Sequence, residues 1–264
     1  MTKNNGGLHP VWSELLASLP SPGLVTLIGG GGKTSLMYYL VAGLKASGAV
    51  AFAAATAKLF TPEGAGHRTV LVGSLAEFRR AVEELRSCPE IVTVARGIAD
   101  GAPHKLAGLA TEWLDALAGE LPSVRFIVEG DGSAGLPLKG HLPHDPVVPA
   151  ATRLLVPVIG AEVIGRPLAA DCVHRPARAA ELVGVAEGET MTTAMIVTIL
   201  LHPEGYLHNC PPGACVVPFV NKAEGEAVRP AEELAAAVLS AGHPAVGGVV
   251  IGSMQRQEFS FIRK

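Results

Sequence analysis

The sequence predicts an α/β fold of three layers, in which a mainly parallel sheet carries helices on both faces. Short apolar runs alternate with helical patterns through most of the 264 residues, and this alternation favours parallel strands joined by helical crossovers. Near the amino terminus an apolar run changes abruptly to four glycines at residues 29–32 and then to a helical pattern. Both observations indicate a sheet whose ligands bind at the carboxyl ends of the strands.

The predicted strands are short apolar runs of a length suited to buried strands. They cover residues 24–28, 49–55, 69–72, 90–94, 125–129, 153–158, 215–220 and 246–251. The predicted helices cover residues 33–47, 75–86, 105–118, 176–183, 191–201 and 230–241. Because no linker divides the chain, we expect a single domain over residues 1–264, with an N-terminal helical appendage over about 1–22 whose helix lies near 11–19.

Composition narrows the classes of function. Hydrophobic residues make up 48% of the chain, enough for a sizeable core without disulfides or metals. The net charge of −3 argues against general nucleic-acid binding, which neutralises many phosphates at once. We expect neither a signal peptide nor a membrane span. None of the four cysteines forms CxxC, so reduced thiols and a cytoplasmic location are expected. A metal or selenium role for Cys210 and Cys215 stays open.

The stretch LVTLIGGGGKTS at residues 24–35 predicts a nucleoside-triphosphate site of the P-loop NTPase type. Glycines allow the backbone to curl around phosphate oxygens, and the following helix directs its positive end at the same anion. The lysine would neutralise phosphate charge and the threonine hydroxyl would bind Mg²⁺. The residues that would contact ATP or GTP here are Gly29, Gly30, Gly31, Gly32, Lys33, Thr34 and Ser35.

The loop departs from the standard motif at one position. The first glycine normally stands six residues before the lysine, where this chain has Leu27, so the loop is shorter or the strand ends later. The alternative interpretation is a glycine-rich turn without a ligand.

Acidic and basic residues follow two other predicted strands. Glu129 closes the strand at 125–129 and Asp131 follows two residues later. A carboxylate at this place can hold Mg²⁺ or a metal-bound water. Lys58 follows the strand at 49–55 and would add positive charge near the γ-phosphate or the substrate. The alternatives are a solvated pair of acids and a surface lysine.

The predicted strand 215–220 is followed by Asn221, Lys222, Ala223 and Glu224. This is one methylene away from the NKxD element with which GTP-binding proteins recognise guanine. We expect these residues to contact the nucleobase. The longer glutamate and the short phosphate loop slightly favour ATP over GTP.

The remaining candidates are His144, in a long irregular stretch at residues 129–149, and Arg175, which precedes a predicted helix. His144 would act as a general base or metal ligand, and Arg175 would bind a phosphate or an acidic substrate. No Ser-His-Asp arrangement or HExxH motif is present, which disfavours ester and peptide hydrolases.

Six segments together resemble the YqeC family, over about residues 24–251. They are GGGGKTSLMYYL at 29–40, TAKLF at 56–60, EGDGSAGLPLKGHLPHDPVVP at 129–149, VHRP at 173–176, LLHPEG at 200–205 and FVNKAE at 219–224. The resemblance implies a P-loop-like accessory protein in the maturation of a selenium-dependent molybdenum hydroxylase. The positions it singles out are Gly31, Gly32, Lys33, Thr34, Lys58, Glu129, Asp131, Gly132, Lys139, His144, His174, Arg175, Asn221 and Lys222. Departures occur at Ala54, Ala55 and Glu224, where members often carry threonines and aspartate.

Two functions follow as expectations. The first is a Mg²⁺-dependent ATPase or GTPase, or a phosphoryl or nucleotidyl transferase, in which Lys33, Glu129 and Asp131 act on the nucleotide. In it, Lys139, His144 and Arg175 would shape a site for a second substrate. The second is a nucleotide-gated chaperone that carries molybdenum cofactor or a selenium species to a partner hydroxylase. The sequence shows no clear water-positioning glutamine, so both stay open.

Overall fold

The computed structural model of the protein describes residues 7–264, which pack into two compact units. The first unit consists of residues 7–26, Thr34–Asp131 and Val147–Leu154. The second unit consists of Leu27–Lys33, Gly132–Pro146 and Leu155–Lys264. Strand pairs inside both units are mainly parallel. The predicted α/β class with a mainly parallel sheet is therefore confirmed, whereas the single domain and the covering of both sheet faces stay predictions.

The first unit contains four helices and eight strands within the described residues. The helices are α1 (Pro10–Ala17), α2 (Lys33–Ala46), α3 (Leu75–Glu84) and α4 (Thr111–Glu120). The strands are β1 (Leu24–Gly29), β2 (Val50–Ala55), β3 (Leu59–Phe60), β4 (His67–Leu71), β5 (Ile91–Ala95), β6 (Gly97–Ala99), β7 (Ala102–Ala107) and β8 (Val124–Glu129). The last three residues of β1 and the first residue of α2 belong to the second unit.

The strands of the first unit follow the order β1-β8-β2-β5-β4. The pairs β2–β8, β2–β5 and β4–β5 are parallel. Helix α3 packs on this sheet because its apolar residues share one face, and Phe78 meets Phe126 edge-on with ring centroids 5.6 Å apart. Ser74 caps α3 by accepting from the Glu77 N–H at 3.2 Å, a contact that favours serine at this position.

One predicted helix of the first unit is wrong in part. The sequence predicts a helix over 105–118, but β7 occupies Ala102–Ala107 and α4 begins only at Thr111. Leu106 pairs with Leu59 and Ile98 in a three-stranded antiparallel sheet of order β3-β7-β6. Gly108 then passes so close to Thr56 that a Cβ would lie 2.4 Å from the Thr56 carbonyl carbon, so the connection between β7 and α4 requires glycine here.

The second unit contains the remaining elements. The helices are α5 (Pro176–Val183), α6 (Thr193–Leu201) and α7 (Val228–Ser240). The strands are β9 (Leu138–Lys139), β10 (Thr152–Gly160, whose first three residues belong to the first unit), β11 (Val173–His174), β12 (Cys215–Val216), β13 (Phe219–Asn221), β14 (Gly248–Ser253) and β15 (Glu258–Arg263). Short 3₁₀ turns cover Ala161–Val163 and Gly225–Ala227.

The strands of the second unit follow the order β15-β14-β13-β10, and β12 also pairs with β10. The predicted strand 215–220 is interrupted, because Pro218 has no N–H to give to a neighbouring strand. Strand β15 was absent from the sequence prediction and pairs antiparallel with β14. Its side chains alternate between buried Phe259 and exposed Glu258 and Ser260, a pattern typical of an edge strand rather than a buried run.

Other bounds agree closely with the sequence. Helix α5 coincides with the predicted 176–183, and the helix predicted near 11–19 is α1. The stretch 129–149 is irregular except for β9, which pairs in parallel with β11. Among residues 7–264 no helix has the length and apolarity that a membrane crossing requires.

Candidate functional site

The glycine loop between β1 and α2 is shaped by close backbone contacts inside the second unit. Gly31 has a φ of +70°, which side chains rarely tolerate. At Gly30 a Cβ would lie 2.2 Å from the Leu136 carbonyl oxygen. Glycine at both positions is therefore required by the packing of this loop, whether or not a ligand is bound.

Two N–H groups of this loop already have acceptors. Gly30 N–H donates to Val158 O and Gly31 N–H donates to Leu136 O, both at 2.9 Å. Helix α2 begins at Lys33, and the first N–H groups of a helix have no acceptor within it. The capacity to bind an anion therefore lies at the first turn of α2 more than at the front of the loop, consistent with a loop shorter than the standard motif.

The Lys33 side chain folds back over the loop. It is only 4% exposed, and its Nζ donates to the Gly29 carbonyl oxygen and lies 3.3 Å from Ser133 Oγ. The Lys33 ammonium is therefore held close to the backbone of the glycine loop.

In the first unit, Thr34 contacts the end of β8. Thr34 Oγ1 donates to Glu129 Oε2 at 2.7 Å, and Glu129 is 7% exposed. Asp131 follows two residues later and is fully buried. A hydroxyl and a carboxylate in direct contact are the hard oxygen ligands that Mg²⁺ prefers.

The charge of Glu129 also acts on Tyr38. Burial raises the pKa of the Tyr38 hydroxyl, and the negative charge of Glu129 raises that pKa further.

Lys58 and Ser35 are exposed in the structure. Lys58 Nζ lies 3.5 Å from the Asp100 carbonyl oxygen at the tip of the β6–β7 hairpin. The residues before it are anchored near the end of β8, where Thr56 N–H donates to Glu129 O at 3.0 Å. Ser35 lies in the first turn of α2, where its backbone N–H rather than its hydroxyl is the feature relevant to an anion.

Asn221, at the end of β13, fastens the glycine loop to the turn after β14. Its Nδ2 donates to Gly31 O at 2.6 Å, and its Oδ1 accepts from the Met254 N–H at 2.9 Å. The side chain is 3% exposed. Asn221 therefore connects the glycine loop with the turn after β14 inside the second unit.

The neighbours of Asn221 each have a charged partner. Lys222 forms an ion pair with Glu162, which follows β10. Glu224 Oε1 accepts from Ser253 Oγ, and Glu224 Oε2 lies 3.1 Å from Arg256 Nε. The sequence gives no role to Glu162, Ser253 or Arg256, because each lies at least 29 residues from its partner and no local pattern marks the pairing.

A second charged group of this unit joins Lys139, which only the family resemblance singles out, with Arg175, a candidate from the sequence itself. Asp145 Oδ2 accepts from Lys139 Nζ at 2.6 Å and from Arg175 Nη1 at 2.7 Å. Lys139 is 1% exposed, and its N–H donates to the Tyr206 hydroxyl at 3.1 Å. His144 is exposed beside Asp145 in the chain. Asp145 thus accepts hydrogen bonds from both cations, a role that the sequence does not predict. Its position directly after His144 in the irregular stretch is the one feature of the sequence that marks it.

Comparison with known proteins gives the same family as the sequence motifs. The family model described as YqeC protein matches residues 25–177, which is more than half of the chain. The uncharacterized protein YqeC of Escherichia coli (strain K12) is 27% identical over 210 residues, covering 78% of this chain and 78% of that protein. The matched region contains the glycine loop, Glu129 and the group around Asp145. The chain therefore belongs to the YqeC family.

Proposed function

We propose that this protein binds a nucleoside triphosphate with Mg²⁺ at a P-loop-like site and uses it in hydrolysis or in phosphoryl or nucleotidyl transfer. The observation that carries the proposal is the position of Lys33, which ends the glycine loop and begins α2 with its Nζ donating to Gly29 O. A lysine at this place in a glycine loop is suited to neutralise a bound phosphate. The first turn of α2 supplies further N–H donors to the same anion.

The residues present also fit a magnesium ion. Thr34 and Glu129, which are in direct contact, would hold it, and Asp131 would accept from a metal-bound water. Mg²⁺ would neutralise negative charge on the phosphates and lower the barrier to transfer. Thr34 follows Lys33 directly in the chain, as the hydroxyl residue that binds Mg²⁺ follows the lysine in phosphate-binding loops.

In this proposal the protein residues divide the work. Lys33 leaves Gly29 O and donates to the phosphate oxygens, where it balances charge that grows during transfer. Asn221 keeps the loop closed through Gly31. Lys139 and Arg175, held by Asp145, offer cationic donors for a second, anionic substrate. His144, exposed in the same stretch, is its candidate proton acceptor.

The biological role rests on the family resemblance alone. We propose that the nucleotide drives maturation of a selenium-dependent molybdenum hydroxylase. The second candidate is a nucleotide-gated carrier of molybdenum cofactor or a selenium species with little catalysis of its own. The Asn221 link between the glycine loop and the Met254 N–H favours this candidate, because it can pass a change in the loop to the turn after β14.

Thermal unfolding with and without nucleotide tests the proposal. A ligand at about 100 times its dissociation constant stabilises the fold by roughly 2.7 kcal/mol. For a chain of this size that is about 5–11 °C of Tm, at ~2–4 °C per kcal/mol. Absence of any shift with millimolar ATP, GTP or CTP and Mg²⁺ would contradict nucleotide binding. Phosphate release, measured with and without a partner hydroxylase, then separates enzyme from carrier.

A further inference from the structure

The end of β14 and the turn after it contact Asn221, the last residue of β13, and Glu224, which follows that strand. Met254 N–H donates to Asn221 Oδ1, and Ser253 Oγ donates to Glu224 Oε1. Arg256 Nε lies 3.1 Å from Glu224 Oε2. The Arg256 N–H donates to Ser253 Oγ at 3.0 Å. The serine hydroxyl therefore connects the Glu224 carboxylate with the backbone of the turn.

The Glu224 carboxylate is consequently held by both of its oxygens. Its side chain is 27% exposed and that of Arg256 is 56% exposed, so both can be reached by a ligand. Each carboxylate oxygen can accept more than one hydrogen bond, which leaves acceptor capacity on both. The sequence slightly favours ATP in part because the glutamate side chain is one methylene longer than aspartate. The contacts with Ser253 and Arg256 fix the position of its carboxylate.

A fixed carboxylate beside a guanidinium matches one nucleobase edge better than the others. Guanine presents two adjacent donors, N1–H and the N2 amino group, next to the O6 acceptor. Adenine presents one amino group next to N1, whose lone pair a carboxylate repels. Guanine can therefore donate two hydrogen bonds to Glu224 and accept one from Arg256, while adenine leaves a charged acceptor poorly matched.

We propose that the nucleobase is guanine, recognised by Glu224 while Ser253 and Arg256 fix the position of its carboxylate. The inference rests on the proposed function, because the base is bound only if the triphosphate is. It names Ser253 and Arg256 as specificity-determining residues from an element that the sequence did not implicate.

Affinities for Mg²⁺ complexes of GTP, ITP and ATP, and for inorganic tripolyphosphate, test the inference by calorimetric titration. We expect GTP to bind at least tenfold more tightly than ATP, as when a paired polar group is lost. ITP lacks the N2 amino group and should bind roughly tenfold more weakly than GTP, as expected for one lost hydrogen bond to a charged acceptor. Equal affinities for GTP and ATP would overturn the inference.

Variants separate base recognition from phosphate binding. Glu224→Gln, Ser253→Ala and Arg256→Gln should each lower the GTP to ATP ratio and leave tripolyphosphate affinity unchanged. The matched controls Glu226→Gln and Arg229→Gln remove exposed charges from the same segment and should keep the wild-type ratio. A ratio unchanged in Ser253→Ala and Arg256→Gln would refute their role. If tripolyphosphate and all three nucleotides fail to bind wild type, the proposed function itself fails.

Discussion

Replacing Asn221 should destabilise the fold far more than its size suggests. Asn221→Ala deletes the hydrogen bonds to Gly31 O at 2.6 Å and from Met254 N–H at 2.9 Å. It leaves the buried Gly31 carbonyl without that donor. A buried polar group that loses its partner costs about 1–3 kcal/mol, and the half-buried Met254 N–H adds about 0.5–1.5 kcal/mol. We expect the free energy of unfolding to fall by roughly 1.5–4.5 kcal/mol, the sum of these two terms.

Urea unfolding followed by circular dichroism measures this loss, and an unchanged m value would show that only stability has changed. Asn221→Asp sharpens the test, because it keeps the acceptor for Met254 but turns a carboxylate oxygen towards the Gly31 carbonyl. It should be at least as destabilising as Asn221→Ala at neutral pH. The control Asn209→Gly removes a more exposed amide at a φ of +61°, where glycine is not strained. If Asn221→Asp unfolds at the wild-type urea concentration, Asn221 does not hold the loop.

Three further predictions concern the loop, the metal ligands and pH. Lys33→Met should abolish nucleotide-induced stabilisation, whereas Lys45→Met, at the other end of α2, should keep it. Because the Lys33 side chain is buried, its replacement should also change the Tm of the unliganded protein, which replacement of a surface lysine would not. Thr34→Val should weaken nucleotide binding in the presence of Mg²⁺ and have little effect on binding in EDTA. Calorimetric titration under both conditions tests this, and an equal loss of affinity in Mg²⁺ and in EDTA would contradict a metal role. The raised pKa of Tyr38 favours folding below its ordinary value of about 10, and this contribution is lost as pH rises through the folded-state pKa. Tyr38→Phe should therefore reduce the loss of stability between about pH 9 and 11, roughly one unit either side of the ordinary tyrosine pKa. Urea unfolding at a series of pH values measures this loss, and an unchanged dependence of stability on pH would refute the assignment.

The sequence predicts what is contiguous in the chain. Strand β1, the glycines, Lys33 and the start of α2 form one local pattern, and a strand that ends in Glu129 needs only an apolar run to be recognised. The contact between Thr34 and Glu129 follows from the rule that polar residues at the carboxyl ends of parallel strands meet.

Features that depend on distant partners were not predicted. The holding of Glu224 by Ser253 and Arg256 depends on β15 returning antiparallel to β14, which places the turn between them beside β13. Asp145 binds Lys139 and Arg175, which lie in separate segments. The local pattern around Leu106 predicts a helix, but Leu106 pairs with Leu59 and Ile98 from two other strands. Tertiary pairing of this kind overrides the local pattern.

Amide NMR of isotope-labelled protein tests the central claim most directly. On titration with Mg²⁺ and GTP, the amide resonances of Gly32, Thr34 and Ser35 should shift together and saturate with one dissociation constant, because a bound phosphate accepts from the first turn of α2. Lys33→Met should remove those shifts. A titration that leaves these three amides unmoved while GTP binds elsewhere would contradict the account.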